Sequence, residues 1–502
     1  MERDHPEPRP LDHVAAEGMP DSPALVTREG VLDYAGLESA VGAMAHWLAG
    51  QDLAPGARVA SWLPKTRAAC LMPLAAARAG LVHVPVNPVL KRQQVAHILS
   101  DSGAALLLTQ AARLAALESG DVPEGCVVAT EEALRATGHV GPSDADPRAL
   151  AAILYTSGST GRPKGVMLSH ANLWLGAISV ARYLKLTPAD RVLGVLPLSF
   201  DYGQNQLLST WAAGGCVVPI DYLTARDVAR AVERYEISSL AGVPPLWVQL
   251  LEAQWSDVAA GRLRRLTNSG GALTPRLVRE LRSRFPGADL YPMYGLTEAF
   301  RSTYLDPALV DAHPDSMGSA IPFAEIMVVR PDGSAAAVGE AGELVHVGPL
   351  VAQGYWHDAD RTALRFRPAP AWSRYGGMAV WSGDTVVADH AGLLRFVGRD
   401  DEMIKSSGNR ISPTEIEEAV LAGGEAAEAV ALGVPDGRLG QAIAVVARTD
   451  GDVAAAEAAL RERLRRDLPG FMQPQAYIWR DSLPRNANGK LDRAALKQEI
   501  AS

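Results

Sequence analysis

Two hydrophobic periodicities alternate along the first part of the chain. Short apolar runs such as Ala57–Trp62 and Val82–Val86 predict strands, whereas the segments that follow them, Ala68–Ala79 and Gln93–Leu99, have the apolar spacing of helices. Strands that alternate with helices are typical of α/β architecture. We therefore expect the fold class to be α/β, with a large N-terminal domain built of α/β layers.

From about Ser316 the pattern changes to short strands separated by turn signals. Predicted short strands at 326–329, 342–347 and 393–397, with a turn signal at 331–333, indicate a β-rich subdomain that ends the large domain. We place a boundary at Arg399–Asp401, which divides the chain into residues 1–398 and 399–502. The second part predicts a small α+β domain with helices at 413–421 and 453–468 and strands at 430–434 and 442–448.

Composition narrows the possible functions. Lys and Arg number 48 and Asp and Glu number 57, so the formal charge is 48 − 57 = −9, which argues against nucleic acid as a partner. The three cysteines, Cys70, Cys126 and Cys216, lack the spacing of a zinc site or a disulfide framework. The charged N-terminus and the lack of a long apolar run argue against secretion and a membrane span. We expect a cytoplasmic protein that binds neither membrane nor nucleic acid.

A segment rich in small residues, 153–165, carries the strongest chemical signal. Backbone N–H groups and hydroxyls of such residues can approach phosphate oxygens closely, and a lysine supplies positive charge. The spacing is not that of a Walker A loop, which disfavours a P-loop kinase or GTPase. Because a strand precedes the segment and an amphipathic helix is predicted to begin near Ser169, we interpret it as a nucleotide-phosphate loop rather than a flexible linker. Its residues are Thr156, Ser157, Gly158, Ser159, Thr160, Gly161 and Lys164.

This loop and five further motifs resemble the adenylate-forming ligases, a family that includes acyl-CoA synthetases, luciferases and the adenylation domains of peptide synthetases. The resemblance implies an enzyme that uses ATP and Mg2+ to convert an acid to its acyl-adenylate and then transfers the acyl group to a thiol. It also implies that the small C-terminal domain is mobile. The motifs span nearly the whole chain in the family's order, at 294–298, 342–344, 382–384, 398–401 and 484–492.

The resemblance assigns roles to residues whose chemistry suits them. Glu298 is a carboxylate of the kind that binds Mg2+, Asp384 can accept hydrogen bonds from both ribose hydroxyls, and Arg399 contacts the ribose or a phosphate. Each has a plainer alternative: a solvated glutamate, a turn aspartate and a surface arginine. Ser382 stands where the family often has threonine. Besides the phosphate loop, the implied nucleotide-binding residues are Gly271, Tyr294, Gly295, Thr297, Asp384, Arg399 and Lys490.

Lys490 is implied to be a catalytic residue, together with Glu298 and Lys164. In the family the small domain swings so that this lysine stabilises the negative charge that shifts during adenylation; without that context it resembles any exposed lysine. The domain then rotates about a hinge, which Asp401 matches, so that a thiol reaches the acyl-adenylate. The sequence has no motif for a protein nucleophile, so the substrate carboxylate itself is expected to attack the α-phosphorus.

The stretch 196–203 bears on which acid is activated. Fatty-acyl and aryl ligases of the family often place histidine here, whereas amino-acid-activating domains place aspartate, and this chain has Phe200-Asp201. A buried carboxylate requires a cationic partner, which a substrate ammonium or a protein cation can provide. The alternative is that Asp201 caps the helix that follows.

Arg301 lies just beyond Glu298 and can clamp a second substrate carboxylate, with an internal ion pair to Glu298 or Asp201 as the alternative. The stretches around Asp201 and Arg301 resemble the β-amino-acid-activating ligases of macrolactam polyketide pathways and the ligases associated with exosortase gene clusters. That resemblance implies that Asp201 holds an amine and that Arg301 and Ser269 hold a carboxylate, with Phe200 and Gly295 also in the substrate site. We favour a β-amino acid, with aspartate or 3-methylaspartate as the specific candidates and a monocarboxylic β-amino acid as the close alternative.

Both subgroups imply an acyl carrier protein, with its phosphopantetheine thiol, as the acceptor. A cluster of arginines on one predicted helix is a candidate face for an acidic carrier, although a solvated helix face is the plainer interpretation. The alternative functions are an AMP-forming acyl-CoA ligase for an acid that lacks an amine, a luciferase-like oxidoreductase and an inactive scaffold. The arginines are Arg461, Arg463, Arg465 and Arg466.

Overall fold

A computed structural model describes residues 5–135, 138–156, 163–399, 403–484, 491 and 493–501. The strands, in chain order, are β1 Pro23–Thr27, β2 Gly30–Asp33, β3 Arg58–Ser61, β4 Val82–Pro85, β5 Ala104–Thr109, β6 Val127–Thr130, β7 Leu150–Thr156, β8 Lys164–Ser169, β9 Arg191–Gly194, β10 Cys216–Pro219, β11 Ser239–Gly242, β12 Arg265–Asn268, β13 Asp289–Tyr294, β14 Thr303–Tyr304, β15 Ser319–Ala320, β16 Glu325–Val329, β17 Ala341–Val347, β18 Phe366–Pro368, β19 Met378–Ala388, β20 Leu394–Arg399, β21 Ile404–Ser406, β22 Asn409–Ile411, β23 Glu428–Asp436, β24 Gly440–Arg448 and β25 Ala476–Trp479.

The α-helices are α1 Tyr34–Ala49, α2 Arg67–Arg78, α3 Arg92–Ser102, α4 Ala111–Leu114, α5 His170–Tyr183, α6 Asp201–Ala212, α7 Ala225–Arg234, α8 Pro244–Glu252, α9 Asp257–Arg262, α10 Pro275–Arg284, α11 Ala359–Arg365, α12 Pro413–Leu421, α13 Val453–Asp467 and α14 Arg493–Ala501.

Two large sheets form the first part of the protein. A nine-stranded sheet has the order β15-β14-β13-β12-β11-β9-β10-β1-β2, and a six-stranded sheet has the order β6-β5-β3-β4-β7-β8. Strands β13, β12, β11, β9 and β10 run parallel, and most of their residues are buried, as expected for a sheet covered on both faces. The largest buried apolar cluster draws on both sheets and on helices α1, α2, α5 and α6. The predicted α/β layering is confirmed.

Two smaller sheets complete the fold. The predicted β-rich subdomain is an antiparallel sheet of β16, β17, β19 and β18, with β20 paired to β19. Beyond it, strands β21 to β25 form a separate sheet, which has its own buried apolar cluster with α12 and α13. The small C-terminal α+β unit therefore has the predicted helices and strands. The boundary itself stays a prediction, since Asp400 and Asp401 lie outside the described residues.

One predicted helix differs from its expected character. Helix α5 begins after Ser169, which caps it by accepting a hydrogen bond from the Asn172 N–H, so its start is as predicted. It is not amphipathic, however, because nearly every side is buried and only Arg182 is exposed. The helix contributes to the apolar cluster shared by the two large sheets, where no solvent-facing stripe is needed. Among the described residues, no helix has the length and apolar character needed to cross a membrane.

Candidate active site

The candidate site lies where loops from both large sheets meet. Strands β9, β11, β12 and β13 are neighbours and parallel, so the loops at their carboxyl ends lie side by side, where ligands bind in open α/β sheets. Asp201, Ser269 and Glu298 follow β9, β12 and β13 respectively. From the other sheet, Thr156 at the end of β7 pairs with Lys164 at the start of β8. Sheet order therefore brings together residues that are far apart in the sequence.

Lys164, Glu298 and Tyr355 form one compact polar cluster. The Lys164 Nζ lies 3.2 Å from Glu298 Oε1 and donates a hydrogen bond of 2.8 Å to the Tyr355 hydroxyl. That hydroxyl in turn donates to Glu298 Oε1 at 2.7 Å. The structure thus brings together two of the predicted catalytic residues and adds a tyrosine that sequence analysis missed, because no motif distinguished Tyr355 from other aromatic residues.

Electrostatics keep Glu298 ionised. Burial by itself raises the pKa of this carboxyl, but the positive charges of Lys164 and Arg410 and the hydrogen bond from Tyr355 outweigh burial and hold the pKa well below its usual range. Burial lowers the pKa of Lys164, and Glu298 opposes that effect. A fixed carboxylate beside a fixed ammonium is a suitable arrangement for a cation and for phosphate oxygens.

Asp384, the predicted ribose residue, lies on β19 and is buried. The Tyr294 hydroxyl donates a hydrogen bond to its carboxylate. The Asp384 N–H donates to the Ser382 hydroxyl, which itself donates to the Leu344 carbonyl. Ser382, which differs from the common family residue, therefore still fixes the backbone at Asp384. Arg399 is paired opposite Asp384 at the end of β20.

Asp201 and Arg301 face each other in the interior. The Arg301 Nη1 lies 3.6 Å from Asp201 Oδ2 and 3.4 Å from the Ser269 hydroxyl, and the exposed fractions of the two charged side chains are only 2% and 3%. The guanidinium carbon lies 4.7 Å from the Tyr202 ring centre. The alternative of an internal ion pair is therefore correct for Asp201 and wrong for Glu298, which bonds to Lys164 instead.

The Asp201–Arg301 pair is incompletely satisfied. Asp201 is the first residue of α6 and Phe200 is the N-cap, so Asp201 does not occupy the predicted capping position, although its carboxylate accepts hydrogen bonds from backbone N–H groups at the start of the helix. Burial raises the pKa of Asp201, and the Arg301 charge opposes that rise. The Nε and Nη2 atoms of Arg301 are buried and have no hydrogen-bond partner among the described residues. A buried guanidinium in this state favours an additional anionic or polar partner.

Helix α6 is unusually polar for a buried helix. Gln204, Asn205, Gln206 and Thr210 are each at most 5% exposed, yet each has at least one side-chain oxygen with no partner among the described residues. Asn205, Gln206 and Thr210 line a cavity of about 30 Å³ that Arg301 also borders. Most of the cavity lining is apolar, but these side chains and Arg301 give it enough polar groups to hold one ordered water or a small polar group of a ligand.

The remaining predicted residues divide into those that the structure places near the site and those that lie outside the described residues. Phe200 lies near Ser269 because its ring is close to Gly270; Gly271 accepts a hydrogen bond from the Asn268 side chain; and Thr297 is buried beside Glu298. Gly295 packs against Arg301, since a Cβ at 295 would lie 3.0 Å from the Arg301 Cα. Ser157, Gly158, Ser159, Thr160, Gly161, Asp401 and Lys490 lie outside the described residues, as does the side chain of Arg399.

The small domain presents its 405–410 segment to the site. A Cβ at Gly408 would lie 2.7–2.8 Å from the Val243 side chain, and the Gly408 carbonyl approaches Gly270. Gly408 has a φ of +77°, so a glycine is required here both for backbone conformation and for close approach. Arg410 lies near enough for its charge to affect the pKa values of Lys164 and Glu298. This orientation places the loops after β11 and β12 against the small domain.

The predicted carrier-docking arginines are largely engaged within the small domain. Arg461 pairs with Glu457, Arg463 with Glu425 and Arg466 with Asp467. Charges already paired with neighbouring carboxylates offer little net attraction to an acidic partner. The solvated and structural interpretation is therefore the better one for this helix.

The fold and the arrangement of these loops define the class of adenylate-forming enzymes. The chain belongs to the AMP-binding enzyme family: the family described as "AMP-binding enzyme" matches residues 12–356, and the "AMP-binding enzyme C-terminal domain" matches residues 415–490. Family membership is thus confirmed for both parts of the protein.

The relatives differ in length: one matches this chain over nearly its whole length, and another contains the matched region as a small part of a longer polypeptide. The L-proline--(L-prolyl-carrier protein) ligase of Pseudomonas fluorescens is 32% identical over 499 residues, which cover 96% of this chain and 97% of that protein. A linear gramicidin synthase polypeptide of Brevibacillus parabrevis is 30% identical over 508 residues, which cover 99% of this chain and 10% of the synthase polypeptide. This chain therefore spans about a tenth of the length of that synthase polypeptide.

Two structures of one enzyme match this chain over nearly its full length. The o-succinylbenzoate CoA synthetase of Bacillus subtilis is 27% identical and covers 98% of both chains. The TM-score is 0.86 for a double mutant bound to a product analogue, OSB-NCoA, and 0.71 for the complex with the acyl-adenylate OSB-AMP. The protein as a whole therefore superposes more closely on the product-analogue complex than on the acyl-adenylate complex.

One contact that holds the small domain in its orientation predicts a pH dependence. Gln94 of α3 donates a hydrogen bond of 2.9 Å to Glu415 of α12, and burial raises the pKa of Glu415 to about 7, with Glu418 adding to the rise and Gln94 opposing it. A glutamate that is not docked has a pKa of about 4.3. Between about pH 4.3 and about pH 7 the docked orientation therefore binds more protons than the undocked one. It is therefore favoured at low pH and weakened as pH rises through 7.

We expect thioester formation from preformed acyl-adenylate to fall relative to a Glu415→Gln variant by up to about tenfold between pH 6 and pH 8, the change in the docking equilibrium that these two pKa values give. Single-turnover assays measure this ratio, which cancels the ionisation of the attacking thiol. Glu462→Gln, an exposed change on α13, is the control. Parallel pH profiles for wild type and Glu415→Gln would contradict the prediction.

Proposed function

We propose that this protein activates an amino acid as its aminoacyl-adenylate, with release of pyrophosphate, and then transfers the aminoacyl group to the phosphopantetheine thiol of an acyl carrier protein. The favoured substrate is a β-amino acid with a second carboxylate, such as aspartate or 3-methylaspartate activated at its β-carboxylate. Similarity over nearly the full length of a stand-alone carrier-protein ligase supports the overall reaction.

The observation that carries the choice of substrate is the buried Asp201–Arg301 pair. Its charges sum to zero, and neither group can bind a substrate group of the opposite charge without weakening its present partner. An ammonium alone would leave Arg301 without a counter-charge in the interior, at a cost of several kcal/mol. A substrate tail with both an ammonium and a carboxylate keeps the pocket neutral and gives each protein charge its own partner.

The geometry of the Asp201–Arg301 pair also favours a substrate that binds to both charges in place of their present contact. Arg301 Nη1 contacts both Asp201 and Ser269 at long distances, and its Nε and Nη2 lack partners among the described residues. A carboxylate can accept two parallel hydrogen bonds from a guanidinium. The substrate's second carboxylate would take these donors and the Ser269 hydroxyl, and its ammonium would bind Asp201.

The cluster around Glu298 fits ATP with Mg2+. Among the described residues, no group of three or more His, Cys, Asp or Glu side chains could hold a metal by itself, whereas Mg2+ commonly uses one or two carboxylates together with substrate phosphates. Glu298 would supply that carboxylate, and bound Mg2+ would neutralise phosphate charge. Lys164 would bind phosphate oxygens, and Asp384, fixed by Tyr294 and Ser382, would bind the ribose hydroxyls.

In the first half-reaction an oxygen of the substrate carboxylate attacks the α-phosphorus, and the bond to the leaving pyrophosphate breaks. Lys164, and Lys490 after rotation of the small domain at Asp401, would stabilise the charge that moves to the pyrophosphate. In the second, the thiol sulfur attacks the acyl carbonyl, loses its proton and displaces AMP. The present approach of segment 405–410 to Val243 and Gly270 supports the second stage.

The proposal is tested by ATP–pyrophosphate exchange across a panel of acids. Aspartate and 3-methylaspartate should exceed β-alanine and succinate, which lack one of the two charged groups, by about tenfold or more. Strongest exchange with succinate or a fatty acid would refute the role of Asp201 and favour an acyl-CoA ligase. Strongest exchange with β-alanine would refute the role of Arg301. Transfer to CoA and to a holo-carrier protein is then compared, and exclusive transfer to CoA would refute the carrier as acceptor.

A further inference from the structure

The chain makes an uncommon turn immediately before Arg301. The Arg301 N–H donates a hydrogen bond of 2.7 Å to the Ala299 carbonyl, and Phe300 between them has φ +64° and ψ −62°. These values define the classic form of the γ-turn, which is rare and strained for a residue that carries a side chain. The turn separates Glu298, which faces Lys164, from Arg301, which faces Asp201.

The ring of Phe300 is locked against helix α5. Phe300 is 1% exposed, and a Cβ at Gly176 would lie 2.4 Å from its Cδ1 and 2.5 Å from its Cε1. Glycine is a poor residue for the middle of a helix, so close approach of the ring explains its presence. The ring thus occupies a notch that exists only because residue 176 lacks a side chain.

The chain on the other side of the turn is also fixed. The Ser302 N–H donates to the Tyr294 carbonyl at 3.0 Å, and the Ile321 N–H donates to the Ser302 carbonyl at 3.1 Å. The Ser302 hydroxyl shares a hydrogen bond of 2.9 Å with His346 Nδ1. The backbone of Arg301 is therefore held on both sides, by the hydrogen bonds of Ser302 and by the packing of Phe300 against α5.

We infer that Phe300 and Gly176 are positioning residues that set the specificity of the proposed substrate site through Arg301. Local strain persists only where surrounding packing imposes it, and here the imposed turn aims the guanidinium at Asp201 and Ser269. The inference rests on the proposed function for the identity of the substrate. The mechanical link from Gly176 to Arg301 is independent of it.

Gly176→Ala tests the link directly. Its Cβ must displace the Phe300 ring, so we expect the KM for the preferred amino acid to rise by about tenfold while the KM for ATP changes by less than about twofold. The combined variant Gly176→Ala with Phe300→Leu makes room for the added methyl group and should recover most of the loss, which reveals coupling between the positions.

Two further variants separate positioning from general damage. Gly261→Ala is a matched helical control, because a Cβ there would meet no atom within 4 Å, and it should leave both KM values unchanged. In an Arg301→Gln background, Gly176→Ala should have no further effect on the KM for the amino acid. Thermal melting reports any loss of folding, and should Gly176→Ala fail to fold, Phe300→Leu alone is measured in both backgrounds.

Equal rises in the two KM values, or the same rise with and without Arg301, would overturn the inference. These outcomes differ from failure of the proposed function. If the wild-type protein prefers an acid without an amine or a second carboxylate, the proposed function fails, but the same variants are measured with that acid. An Arg301-dependent effect of Gly176→Ala would then still support the positioning role.

Discussion

Glu298→Gln is expected to lower acid-dependent ATP–pyrophosphate exchange by about 10²–10³-fold, a loss of the size that follows removal of one electrostatic contact from a preorganised site. The change keeps the shape of the side chain but removes its charge. Lys164 would lose its counter-charge, 3.2 Å away, and a magnesium–nucleotide complex would lose the carboxylate proposed to bind it. Exchange assays at saturating acid with varied MgATP measure the effect.

A surface glutamate provides the control for this substitution. Glu340 pairs with Arg330, and both side chains are more than a third exposed, so Glu340→Gln should leave exchange within about twofold of wild type. Thermal melting of both variants excludes unfolding as the cause. If Glu298→Gln retained more than about a tenth of wild-type exchange, Glu298 would have no essential part in the chemistry.

The second large effect is expected from removing either charge of the Asp201–Arg301 pair. Loss of one partner of a buried, hydrogen-bonded charge pair costs about 2–5 kcal/mol. Arg301→Gln should therefore raise the KM for an amino dicarboxylic acid by about 10²-fold and favour β-alanine, whose ammonium then meets Asp201 alone. Asp201→Asn should shift preference towards succinate, whose second carboxylate then meets Arg301 alone.

A double variant completes this test. Asp201→Asn with Arg301→Gln is neutral, so it should prefer acids with uncharged tails and should be less impaired with them than either single variant. Steady-state kinetics with aspartate, β-alanine, succinate and butyrate are compared for the wild type, the two single variants and the double variant. If both single variants lost all four substrates in the same proportion, the pair would serve only to hold the fold.

Much of the architecture follows from local sequence patterns. Helix α12 at Pro413–Leu421 and the strands around 430–434 and 442–448 lie where apolar periodicity predicts them, because each pattern reflects the burial of its own segment. The phosphate loop and Glu298 are predicted from ordered motifs, because the chemistry of a nucleotide site restricts which residue types occur there; of these, the structure places Thr156, Lys164 and Glu298 together, whereas residues 157–161 lie outside the described residues. Each of these signals lies within a short stretch of consecutive residues.

The contacts proposed to determine specificity were accessible only in part, since the sequence offered the Asp201–Arg301 pair as one of several alternatives. Asp201 and Arg301 are 100 positions apart, and only the order of β9, β11, β12 and β13 brings them together. The Phe300 turn depends on a glycine in a distant helix. The orientation of the small domain likewise depends on contacts between segments far apart in the chain, such as Gly408 with Val243 and Gln94 with Glu415.

The buried polar side chains of helix α6 affect how the substrate specificity of the protein can be changed by laboratory evolution. Its buried glutamines, asparagine and threonine carry oxygens without partners among the described residues, and unpaired polar groups in an interior are a standing cost to stability. Replacing Asn205 or Thr210, which border the cavity beside Arg301, with apolar residues is expected to remove that cost and to make this cavity more favourable for a hydrophobic acid. A change of substrate in this direction would therefore start with a gain in stability, whereas most changes of specificity begin with a loss.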